Sequence, residues 1–242
     1  MSLLKRIIRH AKNGTLLLQV KTRILRNRHH RSDSRSQSPL GDTYYGERAA
    51  NYLNKRLRQD YWHLEQEVVK RLLGDVPDGG CVLDVPFGTG RFVPYYLEKD
   101  MKVYGLDSSQ DMLDVARREL KSQYANCMLT LGDATRLPYE DALFDLVVCI
   151  RFLCHVVSFD QAKATLRELH RVTNSKAILQ FRVRKEGMPP VQKPLGDEPM
   201  NDRLTLEELT RLVNDSGFHV TRIELLEERD TYVRAVFACE RE

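Results

Sequence analysis

Apolar positions recur along this chain in two rhythms, and the change from one to the other predicts most of the architecture. Over residues 2–12, Leu3, Leu4, Ile7, Ile8 and Ala11 share one helical face, while Lys5, Arg6, Arg9 and Lys12 take the other. After Asn13-Gly14 the pattern repeats over 15–28, with Leu16, Leu17, Val20, Ile24 and Leu25 against Lys21, Arg23, Arg26 and Arg28. This spacing predicts one or two basic amphipathic helices. Residues 29–42 carry no apolar period and read as a flexible linker. Helical spacing returns over 44–73, through Tyr52, Leu53, Leu57, Tyr61, Leu64, Val68, Val69 and Leu72.

Beyond the turn Pro77-Asp78-Gly79-Gly80, short apolar runs alternate with amphipathic stretches. Strands are expected at 81–85, 102–106, 127–131, 144–150, 176–183, 218–225 and 232–239, and helices at 91–98, 109–122, 158–172 and 205–216. The order closes with two strands and no helix between them. It predicts an α/β fold: a doubly wound, mostly parallel seven-stranded sheet with helices on both faces and an antiparallel C-terminal hairpin. The Pro-rich polar stretch 184–203 reads as a long loop and a candidate lid. The expected organisation is a basic tail and linker over 1–41, then one domain over 42–242.

Composition sharpens this division. The chain has 242 residues, 42% of them hydrophobic, enough for one ordinary domain with a real core. Residues 1–41 hold ten Lys/Arg against one acid, a net charge of +9, whereas the remainder holds 28 basic and 33 acidic residues, a net of −5. The basic character therefore belongs to the tail. The five cysteines (81, 127, 149, 154 and 239) contain no Cys-x-x-Cys pair and read as reduced thiols of a cytoplasmic protein. No apolar run approaches the ~20 residues needed to span a bilayer, and basic residues interrupt anything resembling a secretory signal.

Candidate chemistry lies where the strands end. Residues 82–92 combine a short apolar strand around Asp84 with a turn through Gly88 and Gly90 and the start of a helix. Glycines let a backbone approach a ligand, and a helix N-terminus offers free N–H groups, so the segment suits a nucleotide cofactor. The second strand ends at Asp107, 17 residues past Gly90, where a carboxylate can accept both hydroxyls of a ribose. The third leads into Gly132-Asp133-Ala134, where Asp133 and the Ala134 N–H suit an adenine edge. The fourth ends at Arg151-Phe152, with His155 just beyond. Each feature has a plainer reading as turn, cap or solvated charge; their order, one at each strand end, favours the cofactor.

Residues 82–172 resemble the class I S-adenosylmethionine-dependent methyltransferases. The resemblance runs through Val82-Leu83-Asp84-x-x-x-Gly88-Thr89-Gly90, Val103-Tyr104-Gly105-Leu106-Asp107, Gly132-Asp133-Ala134-x-x-Leu137-Pro138, Phe144-Asp145-Leu146-Val147 and Leu166-Arg167-Glu168-Leu169-His170-Arg171-Val172. The Leu-Pro and Phe-Asp runs point to the small-molecule and lipid-quinone branch. The resemblance implies that Asp84 and the Gly88 and Gly90 backbone hold the methionine amino end of S-adenosylmethionine, Asp107 with Ser108 the ribose, and Asp133, Ala134 and Met112 the adenine. Arg151 is then expected to flank the methionine or the acceptor. Two departures stand out. Pro86, in the cofactor loop, occupies a usual glycine position and removes a donor, with bulky Phe87 beside it. Thr173-Asn174-Ser175 replaces a usual Pro-Gly-Gly turn, a harmless change because Asn174 tolerates a left-handed conformation.

Methyl transfer from a sulfonium needs alignment and dryness more than acid–base help. Where the acceptor hydroxyl has a high pKa, His155 is the candidate base, against a packing role at a helix start. Tyr44 and Tyr45 are candidates for the acceptor side, and Arg182 and Arg184 for holding an acidic acceptor group. No clustered His/Asp/Glu set calls for a metal. The basic tail suits peripheral docking at the inner face of an anionic membrane, with an RNA, a partner protein or a second copy as competing occupants. The leading expectation is O-methylation of a small-molecule or lipid-linked acceptor. The alternatives are a non-catalytic cofactor-binding scaffold subunit, or an RNA or protein methyltransferase. Against nucleic acid, Arg151-Phe152-Leu153-Cys154 stands where an Asn-Pro-Pro-Tyr motif is often found.

Overall fold

A computed structural model describes residues 44–153, 158–188 and 204–242. The proposed tail, His155 and most of the 184–203 loop lie outside the described residues.

All seven strands form, within a few residues of the expected bounds. They are β1 (Cys81–Asp84), β2 (Lys102–Asp107), β3 (Cys127–Leu131), β4 (Phe144–Cys149), β5 (Thr173–Arg184), β6 (Phe218–Glu228) and β7 (Tyr232–Arg241). They make one sheet in the order β3-β2-β1-β4-β5-β7-β6. The first five are parallel, and β7 runs antiparallel between β5 and β6. β4 shows why the centre is parallel: Phe144, Leu146, Val147, Val148 and Cys149 are all fully buried. Only a strand covered on both faces tolerates so continuous an apolar run.

Two apolar layers flank the sheet. Leu83, Val147 and Leu179 face one, with α6 (Phe159–Val172) and α7 (Leu206–Asn214). Val82, Leu146 and Val148 face the other, with α3 (Asp60–Leu73), α4 (Val93–Glu98) and α5 (Gln110–Leu120). Helix starts are set by side chains that accept free backbone N–H groups. Ser109 accepts from Met112 N on α5, and Ser158 and Thr205 close capping boxes on α6 and α7.

One expectation changes. The 44–73 segment is not one helix but three pieces, α1 (Glu47–Ala50), α2 (Tyr52–Arg56) and α3. Asn51 (φ −93°, ψ 0°) closes the first, and Gln59 in an extended conformation opens the third. Arg56 braces the corner by donating to Gln59 Oε1 and Tyr61 Oη. Asn174 takes no left-handed turn: α6 passes directly into β5 at Thr173, and Asn174 lies within the strand. Here Asn174 Nδ2 donates to Asp145 Oδ1 at 3.0 Å, and the Thr173 hydroxyl donates to Leu169 O.

Phe87 is compensated from the neighbouring strand. Its ring is buried beneath Gly105 of β2, where a Cβ would lie 2.2 Å from Phe87 Cδ2 and 2.6 Å from a Leu129 methyl. Cys149 and Cys239 are buried, Cys81 and Cys127 half-buried, and all four are free thiols. Among the described residues no helix is long and apolar enough to cross a membrane.

Gly105→Ala is expected to destabilise the fold by about 1–3 kcal/mol through overpacking. Adding Phe87→Leu should recover part of that loss. Urea denaturation of the two single variants and the double variant measures the coupling; strict additivity would show that the ring and the missing Cβ are unrelated.

Candidate active site

The chain leaves β1 toward β2 on one side, and β4 pairs on the other, so a crevice opens beyond the carboxyl ends of β1 and β4. Such a switch point is where open α/β sheets bind ligands. A narrow inner cavity of about 90 Å³ lies there, lined in part by Asp84, Pro86, Gly88, Asp107, Met112 and Arg151. Tyr44, Tyr52 and Arg56 also line it and are shared with an outer chamber of about 650 Å³.

The loop after β1 is built by two glycines with different roles. Gly88 (φ 59°) keeps open space, with Met112 Cε the nearest atom to a notional Cβ at 3.8 Å. Gly90 (φ 69°) serves packing, since a Cβ would lie 2.7 Å from Leu120 and 3.0 Å from Phe87. Asp107 binds the two loops together: Oδ2 accepts from Gly88 N at 2.8 Å and Oδ1 from Ser109 N at 2.9 Å. Burial raises the Asp107 pKa, and these N–H groups oppose the rise.

Asp84 is 3% exposed and accepts from Tyr96 Oη at 3.2 Å. Burial pushes its carboxyl up to about 8. Such a group suits a ligand cation, which restores the charge that desolvation suppresses.

Between the two cavities lies a buried ion cluster. Glu65 of α3 is fully buried. Its Oε2 accepts from Arg151 Nε at 2.6 Å and Arg91 Nη2 at 3.0 Å, and its Oε1 accepts from Gln180 Nε2 at 2.7 Å. Burial pushes the Glu65 carboxyl up, but Arg91 and Arg151 outweigh it and hold it below the usual range. Arg151 has φ 63°, a strained conformation for a side-chain-bearing residue, and its N–H is pinned by Gln180 Oε1 at 3.0 Å. Both guanidiniums lie over Trp62, at 3.9 Å for Arg91 and 4.7 Å for Arg151. Arg91 Nη1 and Arg151 Nη2 are buried without a hydrogen-bond partner among the described residues.

The structure brings together Asp84, Pro86, Gly88, Asp107, Ser108, Met112, Arg151 and Tyr44 around the inner cavity. Gly90 lies beneath it. Asp133 and Ala134 stand outside the lining: Asp133 is exposed and accepts from Thr135 N at 2.8 Å, and Ala134 is buried in the core. Tyr45 is 48% exposed, its hydroxyl 3.4 Å from Ser108 O. Arg182 lines the outer chamber, whereas Arg184 turns away to Met188 O and pairs with Glu208. His155 and Cys154 lie outside the described residues.

Glu65, Arg91, Gln180 and Arg234 escaped the sequence reading. For Glu65 a signal existed, since it stands four residues from both Tyr61 and Val69, on the apolar stripe of its helix. Gln180 likewise interrupts an apolar strand run.

The sheet order and the glycine cradle at the switch point define a doubly wound domain built for a nucleotide-type ligand. A family model described as a methyltransferase domain matches residues 82–176. Malonyl-[acyl-carrier protein] O-methyltransferase of Serratia marcescens is 35% identical over 121 residues, 49% of this chain and 44% of that protein. Demethylmenaquinone methyltransferase of Deinococcus radiodurans is 32% identical over 102 residues, 41% of this chain and 42% of that protein. The chain spans about half the length of the curated relatives it matches. Among solved structures, the 1,6-didemethyltoxoflavin-N1-methyltransferase of Burkholderia thailandensis superposes with a TM-score of 0.61 at 17% identity, covering 87% of this chain and 93% of that one. The [4+2]-cyclase SpnF gives 0.62 at 16% identity, covering 76% and 83%. At these identities the likeness shows the fold.

Two outcomes follow. Glu65→Gln leaves two buried guanidiniums without their counter-charge and is expected to cost about 3–5 kcal/mol in urea denaturation. A loss below about 1 kcal/mol would show that the cluster is not structural. For Asp84, a folded pKa near 8 lies above the ordinary 3.8. Its contribution to stability is therefore complete below about pH 4 and lost as pH rises to about 8. The gap in melting temperature between the wild type and Asp84→Asn should shift against the wild type from pH 5 to 8; a pH-independent gap would contradict the raised pKa.

Proposed function

We propose that this protein is an S-adenosylmethionine-dependent methyltransferase acting at oxygen on a small-molecule or lipid-linked acceptor. The observation that carries the reading is the inner cavity, where two buried carboxylates and two unpartnered guanidinium nitrogens belong to the residues around one glycine cradle. These groups fit the cofactor. Asp84 suits its amino group, Arg91 Nη1 and Arg151 Nη2 its carboxylate, Asp107 and Ser108 its ribose, and Met112 an apolar face of the adenine. Asp133 and Ala134 come into play for a ligand extending past Met112 toward β3. When bound, S-adenosylmethionine supplies an electrophilic methyl on a sulfonium, with a neutral leaving group.

The chain's own work is alignment and exclusion of water. The inner cavity is smaller than the ~300–1,000 Å³ usual for ligand sites. Tyr44, Tyr52 and Arg56 line it on the side shared with the outer chamber, and their displacement on cofactor loading is part of the proposal. Gly46 N donates to Asp111 Oδ2, Ser109 Oγ donates to Tyr44 O, and Arg56 Nη2 donates to Tyr44 Oη at 2.9 Å. His155 is the proposed base for an acceptor hydroxyl, and Tyr45, whose hydroxyl lies 3.4 Å from Ser108 O, a proposed acceptor contact. Relatives named for malonyl-[acyl-carrier protein] and for demethylmenaquinone support a carrier-linked or lipid-like acceptor. The basic segment 1–28 is proposed to dock the enzyme on an anionic membrane surface.

A second reading, a scaffold subunit that transfers no methyl, is favoured by the narrowness of the cavity beside Pro86. Calorimetric titration of S-adenosylmethionine and S-adenosylhomocysteine separates the two. Micromolar binding that weakens at least tenfold in Asp107→Ala is expected. No binding of either compound at millimolar concentration would sink the enzyme reading and leave the scaffold.

A further inference from the structure

The far wall of the outer chamber comes from β5 and β7, where Arg182 stands directly opposite Arg234 in antiparallel register. Like charges set opposite each other across strands weaken the pairing. The chamber repeats the pattern: its lining carries Arg48, Lys55, Arg56, Arg151, Arg182 and Arg234 against one acid, Glu47. On the other side of β7, β6 places Glu227 in register with Arg234.

Aromatic rings position these guanidiniums. Arg151 and Arg234 lie 4.7 and 4.4 Å from the centroid of Tyr61. Arg182 and Arg234 lie 4.7 and 5.4 Å from that of Tyr232. Arg56 Nη1 donates to the Tyr61 hydroxyl at 3.3 Å. Arg234 is 5% exposed and Arg151 8%, and Arg151 Nη2 has no hydrogen-bond partner among the described residues. Arg234 Nη2 also donates to Tyr232 Oη at 3.1 Å, and a chamber wall so rich in cations favours an anionic occupant. The planar guanidinium fork matches carboxylate and phosphate oxygens.

We propose that the outer chamber is the acceptor site and that it takes an acidic small molecule, whose carboxylate or phosphate group is gripped by Arg182 and Arg234. Tyr52 and Tyr61 bound the rest of the molecule. Arg56 and Arg151 border both cavities and place the bound anion beside the cofactor site. The assignment rests on the methyltransferase reading of the inner cavity. It replaces the sequence-based pair Arg182 and Arg184 with Arg182 and Arg234.

The test titrates phenylacetate, phenyl phosphate and neutral phenylacetamide into the full chain at constant ionic strength, with and without S-adenosylhomocysteine. At least one anion is expected to bind at least tenfold more tightly than the amide, and the stronger of the two identifies the group. Arg182→Gln should weaken anion binding at least tenfold while leaving S-adenosylhomocysteine affinity unchanged, and Arg182→Lys should fall between. Arg211→Gln, on the exposed face of α7, should change nothing. Equal binding of anions and amide, no anion binding, or indifference to Arg182→Gln would overturn the inference. S-adenosylhomocysteine binding without anion preference refutes the acidic acceptor alone. Anion binding without S-adenosylhomocysteine binding refutes the cofactor reading instead.

Discussion

The carboxylate of Glu65 is the point on which the site's construction depends. It brings three parts of the chain to one place: Arg91 from the loop after β1, Arg151 from the end of β4, and Gln180 from the middle of β5. Charges this deeply buried are tolerated only as a completed set, because each ion removed from water must find its counter-charge in the interior. The set therefore fixes α3 against the sheet. It also holds the strained backbone of Arg151, through the Gln180 amide that Glu65 orients. Two cations share one anion, so the cluster leaves donor capacity unused, and that surplus lies between the two cavities.

A second constraint acts from below. Phe87 is a large ring in a loop that must pass close to a ligand, and it fits because β2 offers a glycine beneath it. The ring then presses on Gly90, which packs against Leu120 of α5. Loop, strand and helix thus set one another's positions. Pro86 reaches the cavity wall while its bulky neighbour points into the core.

Much of this was legible in the sequence. The strands and the later helices follow from apolar periodicity and capping residues, which are local signals. Asp84, Gly88 and Asp107 were legible because each stands at a strand end, where topology alone brings residues together. What escaped is non-local. Glu65 and Gln180 each look like a polar lapse in an apolar pattern, and only packing shows that the lapses meet. Arg234 could not be paired with Arg182 until the register of β7 was known, since a one-residue slip would have turned it to the other face. The break of the 44–73 segment depended on Asn51 and Gln59, whose preferences are weak and whose conformations are set by the corner that Arg56 braces.

The place of β7 carries a consequence for assembly. It follows every other element in sequence yet lies inside the sheet, between β5 and β6. Until it inserts, β5 has an open edge, although β7 can already pair with β6 as a hairpin, Glu228 standing opposite Val233. Long-range strand pairing is slow because loop closure precedes the contacts that reward it. The arginine wall, which needs Arg182 of β5 and Arg234 of β7 side by side, therefore forms only when the β6–β7 hairpin docks on β5. Before that docking, the outer chamber lacks its far wall.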